Sequence, residues 1–409
     1  MGSEWQTVKL KDIVNFNTGK LNSNAANDGG LYPFFTCSPE TLRINVHAFD
    51  CEAVLLAGNN ANGVFPVKYY KGKFNAYQRT YVITPKANVQ LDVKWLFFQI
   101  QFVTNVLQKL SVGTATKFLT KQILDSFEVR LPPIEHQRKI SNHLWALLEK
   151  ENLNRQINQT LEQMAQTLFK SWFVDFDPVM DNALDAGNPI PDELQHRAEA
   201  RKAVRESEDF KPLPDDVRQL FPDAFEESEL GWVPKGWGVT RLENILELAY
   251  GKALTKTDRV DGKYPVYGSG GVNGTHKTYL VKGPGIIVGR KGTVGSLHWE
   301  RNHFFPIDTV FYVKPHIGYS LTYCFYLLKT LGLETMNTDA AVPGLNRNNA
   351  YRLKCVIPSE EVREHLTKTL TNGRKKMDAC LENIETLSKL RDELLPKLIS
   401  GDIKIGDSF

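Results

Sequence analysis

The chain carries one pattern twice, and that repeat restricts it to architectures built from two like units. Trp5-Gln6-Thr7-Val8-Lys9-Leu10 lies 232 residues before Trp237-Gly238-Val239-Thr240-Arg241-Leu242. Gly19-Lys20 and Tyr32-Pro33 meet Gly251-Lys252 and Tyr264-Pro265 at the same offset. The run Val54-Leu55-Leu56-Ala57-Gly58 resembles Ile286-Ile287-Val288-Gly289 at offset 231, and Tyr81–Pro85 resembles Phe311–Pro315 at 230. Near the end of each copy, Val129-Arg130-Leu131-Pro132 meets Cys355-Val356-Ile357-Pro358 at about 226. The order never breaks and the offset drifts slowly, as small loop deletions between two copies of a unit of about 180 residues produce.

Each copy changes character partway. Its first part has short Val/Ile/Tyr/Phe runs broken by Gly, Asn and Pro, which predict a β-rich domain with local helices over 93–110 and 320–331. Its second part is helical. Apolar residues recur at spacings of three and four, with one gap of six after Leu147, from Ile140 to Trp172 through Leu144, Leu147, Leu153, Ile157, Leu161, Met164 and Leu168. A second stripe runs from Val362 to Leu398. At 1.5 Å per residue each predicts a helix near ~60 Å. Both stripes are narrow, which suits two helices packed on each other as an antiparallel coiled coil; packing of each helix on its own domain is the alternative. The expected fold is therefore α+β: two similar β-rich domains joined by two long helices, with internal pseudo-two-fold symmetry. The expected segments are 1–131 and 232–357 for the β-rich domains, 132–180 and 358–409 for the helices, and 181–231 for an insert.

Composition narrows the function. The net charge of +3 hides +5 over 1–131, −8 over 181–231 and +8 over 232–357, with −1 on each helical segment. Two separated basic domains suit an extended polyanion read at two places, although such values also arise by scatter. The acidic insert reads as a Pro-rich linker with one helix around 192–206, either solvated or packed on the first long helix or a partner. The five cysteines stand far apart, as inert thiols of a reducing cytosol do. No apolar run has the length of a membrane span, and the N-terminus lacks a signal-peptide core, so a cytoplasmic protein without membrane contact is expected.

Four motifs carry a family likeness: Leu131-Pro132-Pro133-Ile134-Glu135-His136-Gln137-Arg138-Lys139-Ile140; Thr167-Leu168-Phe169-Lys170-Ser171-Trp172-Phe173-Val174-Asp175-Phe176-Asp177-Pro178; Glu229-Leu230-Gly231-Trp232-Val233-Pro234-Lys235-Gly236-Trp237; and Leu394-Leu395-Pro396-Lys397-Leu398-Ile399-Ser400-Gly401. With these, the whole chain resembles the type I restriction–modification specificity subunits (HsdS). The resemblance implies two target recognition domains, each reading one half of an asymmetric bipartite site in double-stranded DNA. It implies helices that set the spacer and bind two methyltransferase subunits, with restriction/translocase subunits completing the assembly. It also implies a non-catalytic subunit with no cofactor of its own, since S-adenosylmethionine, ATP and Mg2+ belong to the partner subunits. The second helix departs slightly, beginning Pro358-Ser359-Glu360-Glu361 in place of the fuller Pro-Pro form. An orphan or anti-restriction homologue and a protein-binding assembly scaffold are the alternatives.

Catalytic patterns are not evident. The only Pro-Pro lacks the surroundings of a methyltransferase motif, and Gly58-Asn59-Asn60-Ala61-Asn62-Gly63 has P-loop glycine spacing but Val64 where the Lys belongs. His298 and His303 lack a third ligand, so no metal site is expected. Candidate DNA contacts are therefore polar and basic residues of the Gly/Asn-rich loops. In the first domain these are Lys20, Asn59, Asn60, Asn62, Gln78, Arg79, Thr116 and Lys117. In the second they are Lys252, Ser269, His276, Arg290, Lys291, Asn346 and Arg347. Arg and Lys suit guanine, and Asn and Gln suit adenine. Lys68, Lys71, Lys73 and Lys277 read as phosphate positioners.

Overall fold

The computed structural model describes residues 5–60, 63–113, 116–337 and 344–403. The chain forms two compact units, Met1–Arg155 with Leu381–Phe409, and Gln156–Cys380. The division passes through both long helices, Ile134–Phe173 and Glu360–Ser400, so each unit contains a β-rich domain and a segment of each helix. Among the described residues no helix is long and apolar enough to cross a membrane.

In the first unit a six-stranded sheet runs in the order Val14–Thr18, Thr80–Pro85, Phe49–Ala57, Val67–Ala76, Tyr32–Phe35, Leu42–Ile44. All pairs are antiparallel except Tyr32–Phe35 on Val67–Ala76, where Phe34 faces Asn75. Gln6–Lys9 pairs with Glu128–Leu131 and brings the two ends of the domain together. The helix Val93–Leu110 starts at Asp92, whose carboxylate accepts the Trp95 N–H at 2.7 Å, a capping bond that satisfies one of the exposed first-turn donors. Its Trp95, Leu96, Phe98 and Ile100 are buried in one core with Val54, Leu56 and Ile83 of the sheet.

The second unit repeats this plan. Leu246–Tyr250, Val310–Pro315, Gly285–Gly289 and Leu297–Glu300 form a four-stranded antiparallel sheet in the same order. The parallel pair recurs as Tyr264–Gly268 on Phe305–Pro306, with Val266 facing Phe305. Here the long strand of the first copy is interrupted, leaving Leu297–Glu300 in one sheet and Phe305–Pro306 in the other. Gly238–Arg241 pairs with Lys354–Ile357 as the ends of the first domain do, and Leu321–Thr330 takes the place of the helix Val93–Leu110. Strand register corrects one detail of the repeat. Ala57 faces Thr80 and Gly289 faces Val310, so the offset is 232 there and Gly58 corresponds to Arg290.

The Gly-Lys pairs of the two copies have one explanation. A Cβ on Gly19 would lie 1.6 Å from the Ala76 carbonyl oxygen, and one on Gly251 would lie 2.0 Å from that of Ile307. The chain leaving the first sheet strand passes against the neighbouring backbone in both units, so only a residue without a side chain fits.

The helices are antiparallel in each unit. In the first, Ile140 and Leu144 share a core with Leu395, Leu398 and Ile399, while further along Glu151 meets Ser388 and Arg391. In the second, Glu162 meets Arg374, and Trp172 stacks on His365. The buried seam differs from the apolar stripe read in the sequence. Glu151 and Asn154 are buried, whereas Leu153 and Met164 are exposed, as are Leu381 and Leu390 on the other helix. Glu151 accepts from Arg391 at 2.9 Å and from Ser388 at 2.9 Å. Burial raises the pKa of Glu162, but hydrogen bonds from Lys329 and Gln166 and the charges of Lys329 and Arg374 outweigh it and hold the carboxyl below its usual range.

The acidic insert is more ordered than a linker with one helix. It holds the helices Asp177–Ala186, Gln195–Arg205 and Asp215–Arg218 and a hairpin of Phe225–Ser228 with Gly231–Pro234. Asp181 and Asp185 lie four apart on one helix, Arg201 and Arg205 four apart on another, and each set therefore presents one face. Arg201 binds Asp181 at 2.6 Å, Arg205 binds Asp185 at 2.5 Å, and Arg218 also binds Asp185.

Candidate nucleic-acid interface

Antiparallel pairing sends alternate loops to the same end of a sheet, and here it gathers most of the candidate residues. In the first unit Lys20 follows Val14–Thr18, Asn59 and Asn60 follow Phe49–Ala57, and Gln78 and Arg79 precede Thr80–Pro85. Thr18 faces Tyr81 and Ala57 faces Thr80, so these loops emerge together. Lys117 joins them because Lys117–Phe118 pairs with Asn59–Asn60, and Thr116 precedes it. The Arg79 guanidinium lies 5.4 Å from the centre of the Phe118 ring, and Gln78 donates to Asn22 at 2.7 Å. Asn59 accepts the Cys37 S–H at 3.0 Å. Asn62 lies outside the described residues.

The second unit builds the same end. Lys252 follows Leu246–Tyr250, Arg290 and Lys291 follow Gly285–Gly289, and Ser269 lies in the turn after Tyr264–Gly268. The Leu345 N–H donates to the Arg290 carbonyl, as the Leu119 N–H donates to that of Gly58, which brings Asn346 and Arg347 to this end. Asn346 caps the helix Arg347–Tyr351 by accepting the Asn348 N–H at 2.9 Å, the role Thr120 has ahead of Lys121–Ser126. The Arg290 and Arg347 guanidiniums lie 4.9 and 4.7 Å from the centre of the Tyr250 ring. Arg290 also donates to the Asp308 carbonyl at 3.0 Å.

Other candidates are placed elsewhere. Lys71 faces Glu52, with 3.7 Å between their charged groups, and Lys73 faces Asp50, toward the opposite end of the sheet. Lys68, in contrast, faces Leu55 near the loop end, but its ammonium turns into the loop 38–41 beside Cys37, donating to the carbonyls of Ser38 at 3.0 Å and Glu40 at 2.8 Å. Burial lowers the pKa of that ammonium, against the opposing influence of Cys37 and Glu40. His276 is buried and accepts the Val260 N–H at 3.2 Å, and both it and Lys277 lie at the far end of Gly271–His276. Two residues missed in the sequence belong to the loop end: the aromatic rings of Phe118 and Tyr250. Their signal was an aromatic beside a candidate Lys or Gly-Lys pair.

The sequence motifs that carry the family likeness are packing devices. Gln137 is buried, donates to the Pro132 carbonyl at 2.8 Å and accepts the Asp92 N–H at 2.9 Å, fixing the first long helix to its domain. Phe169, Trp172, Phe173 and Phe176 share a core with Trp237 and Phe221. Among the described residues no cluster of three or more His, Cys, Asp or Glu side chains is placed to hold a metal ion.

Comparison with known proteins agrees with this division of the chain. The family model of the type I restriction modification DNA specificity domain matches residues 2–163 and 234–361. The chain is 32% identical over 248 residues to the type I restriction enzyme EcoDI specificity subunit of Escherichia coli, covering 60% of this chain but only 50% of that protein. It is 26% identical to the HindI specificity subunit of Haemophilus influenzae, over 79% of this chain and 80% of the relative. The crystal structure of the type I restriction–modification system S subunit from M. genitalium has the same fold, with a TM-score of 0.62, 16% identity and coverage of 97% and 96% of the two chains. Two matched regions, two copies of one sheet plan and helices shared between them place this chain in the type I restriction–modification DNA specificity family.

Proposed function

We propose that the chain is the DNA sequence-specificity subunit of a type I restriction–modification system. Each β-rich domain reads one half of an asymmetric bipartite site, and the long helices set the spacer between the halves. The observation that carries this reading is the pair of equivalent sheet ends, each bearing Arg, Lys and Asn side chains, yet unlike in sequence. Arg290 stands where the first domain has Gly58, so the two ends offer a duplex different sets of donors.

The helices are also the surface for two methyltransferase subunits. Leu153, Leu381 and Leu390 are exposed on the helix segments of the first unit, and exposed apolar side chains suit a protein partner. In the second unit a groove of about 510 Å³ is lined by Leu161, Met164, Leu168 and Leu370. Chemistry resides in the partners: S-adenosylmethionine serves the methyltransferase subunits, and ATP and Mg2+ serve the restriction subunits. Methylome sequencing of cells expressing the chain with its partner subunits tests the proposal. A split consensus is expected, and exchange of residues 1–131 for those of a relative changes one half only. Methylation without a split consensus refutes it.

A further inference from the structure

Tyr250 is an exposed aromatic residue at a strand end, with two like charges gathered around its ring. Arg290 comes from the loop after Gly285–Gly289 and Arg347 from the start of the helix Arg347–Tyr351, and each lies within 5 Å of the same ring centre. Arg290 is also 5.8 Å from the Phe311 ring, and Arg347 is 5.6 Å from that of Tyr351. The Nε of Arg347 is buried without a hydrogen-bond partner. The two guanidiniums are each attracted to the ring, while their like charges oppose one another. An arrangement of this kind is relieved by a ligand rich in acceptors.

Taking the chain as a DNA-specificity subunit, we infer that Tyr250 is a positioning residue that orients Arg290 and Arg347 to read guanine in the half-site of the second domain. A guanidinium fixed against a ring presents its donors as a planar fork in a set orientation. That fork matches the O6 and N7 acceptors on the major-groove edge of guanine. A phosphate contact needs charge but no fixed plane, and exposed Lys252 and Lys291 beside the pair supply it. The first domain lacks the pair, having a single ring-held guanidinium, Arg79 against Phe118. Strand register puts Thr18 at the position of Tyr250 and Gly58 at that of Arg290, and its loop end carries the amides of Asn59, Asn60 and Gln78 beside Arg79.

The test uses the chain co-expressed with its methyltransferase subunits on a plasmid library of random DNA, with methylated sites read by sequencing. Exchange of residues 1–131 identifies the half-site that belongs to the second domain. That half is expected to hold at least one invariant G·C pair. Arg347→Ala and Tyr250→Leu should each reduce the preference for it by about 5- to 150-fold, the range that follows from loss of one bidentate base contact. Tyr250→Phe keeps the ring face and should keep the wild-type preference. The first half-site should be unchanged in all three, which also reports that the chain has folded. A split consensus whose second half has no invariant G·C pair overturns the inference and leaves the specificity-subunit reading standing. So does a loss in Arg347→Ala that is equal for every sequence, which marks a phosphate contact, and so does a Tyr250→Phe variant as relaxed as Tyr250→Leu. Absence of any split consensus in the wild type overturns both.

Discussion

Glu151 offers the sharpest test of how the helices are held. Its side chain is 1% exposed, and it accepts from Arg391 at 2.9 and 3.2 Å and from Ser388 at 2.9 Å. Arg155 approaches at 3.4 Å but is 53% exposed and adds little. Removing one partner of a buried ion pair costs about 3–5 kcal/mol, because the other charge stays desolvated. The two single variants should differ. Glu151→Leu leaves Arg391, which is 17% exposed and still binds Asp392 at 2.8 Å, so a loss near the lower limit, about 3 kcal/mol, is expected. Arg391→Leu leaves a carboxylate with almost no access to water, and the loss should approach about 5 kcal/mol. The double variant Glu151→Leu/Arg391→Leu replaces the pair by apolar side chains of similar volume and should lie within about 1 kcal/mol of the wild type or above it. Urea unfolding of the four proteins, followed by circular dichroism at constant slope, gives the coupling between the two sites. If the double variant loses the sum of the single losses, the pair does not act as a unit and the argument fails.

Three further outcomes follow from the structure. Glu162, held below the usual carboxyl range, adds stability that is full above the unfolded-state pKa near ~4.3 and is lost as pH falls through the lower folded value. Glu162→Gln should therefore flatten the acid limb of a stability–pH curve, and an unchanged limb contradicts this. Gly19→Ala and Gly251→Ala should each destabilise by about 3 kcal/mol or more in thermal melts, since the obstructing atoms are backbone carbonyls 1.6 and 2.0 Å away; near-neutral variants would contradict the close approach. Lys252→Ala and Lys291→Ala should each lower the slope of log binding constant against log salt by about 1 while leaving the methylation consensus intact. A changed consensus would make either lysine a base reader.

Much of the architecture was legible because it depends on local periodicity. The six repeat pairs, the strand runs and the helix at 93–110 are each set by residues near one another in sequence, and Val93–Leu110 forms over those same positions. The apolar stripes identified long helices but not the faces that are buried. Leu153 and Met164 look like core and are exposed, while Glu151 and Asn154 occupy the seam. Which face meets a partner depends on where Arg391 and Ser388 arrive from more than two hundred residues away. The helix expected around 192–206 forms as Gln195–Arg205, but the order of the rest of the insert was hidden, because a net charge of −8 does not reveal that its Asp and Arg side chains pair across two helices.

The candidate interface shows the same boundary between local and distant information. The sequence alone determined the duplicated unit, its basic character and the loops rich in Gly, Asn, Lys and Arg. Only the tertiary structure decided which of those loops share an end of a sheet, because strand order and direction are set by pairings between distant segments. Lys20, Arg79 and Lys117 converge by that pairing, whereas Lys73 and His276 are carried to the other end. The stack of Arg290, Tyr250 and Arg347 joins a loop, a strand end and the start of a helix across almost a hundred residues, and no local pattern encodes such a meeting.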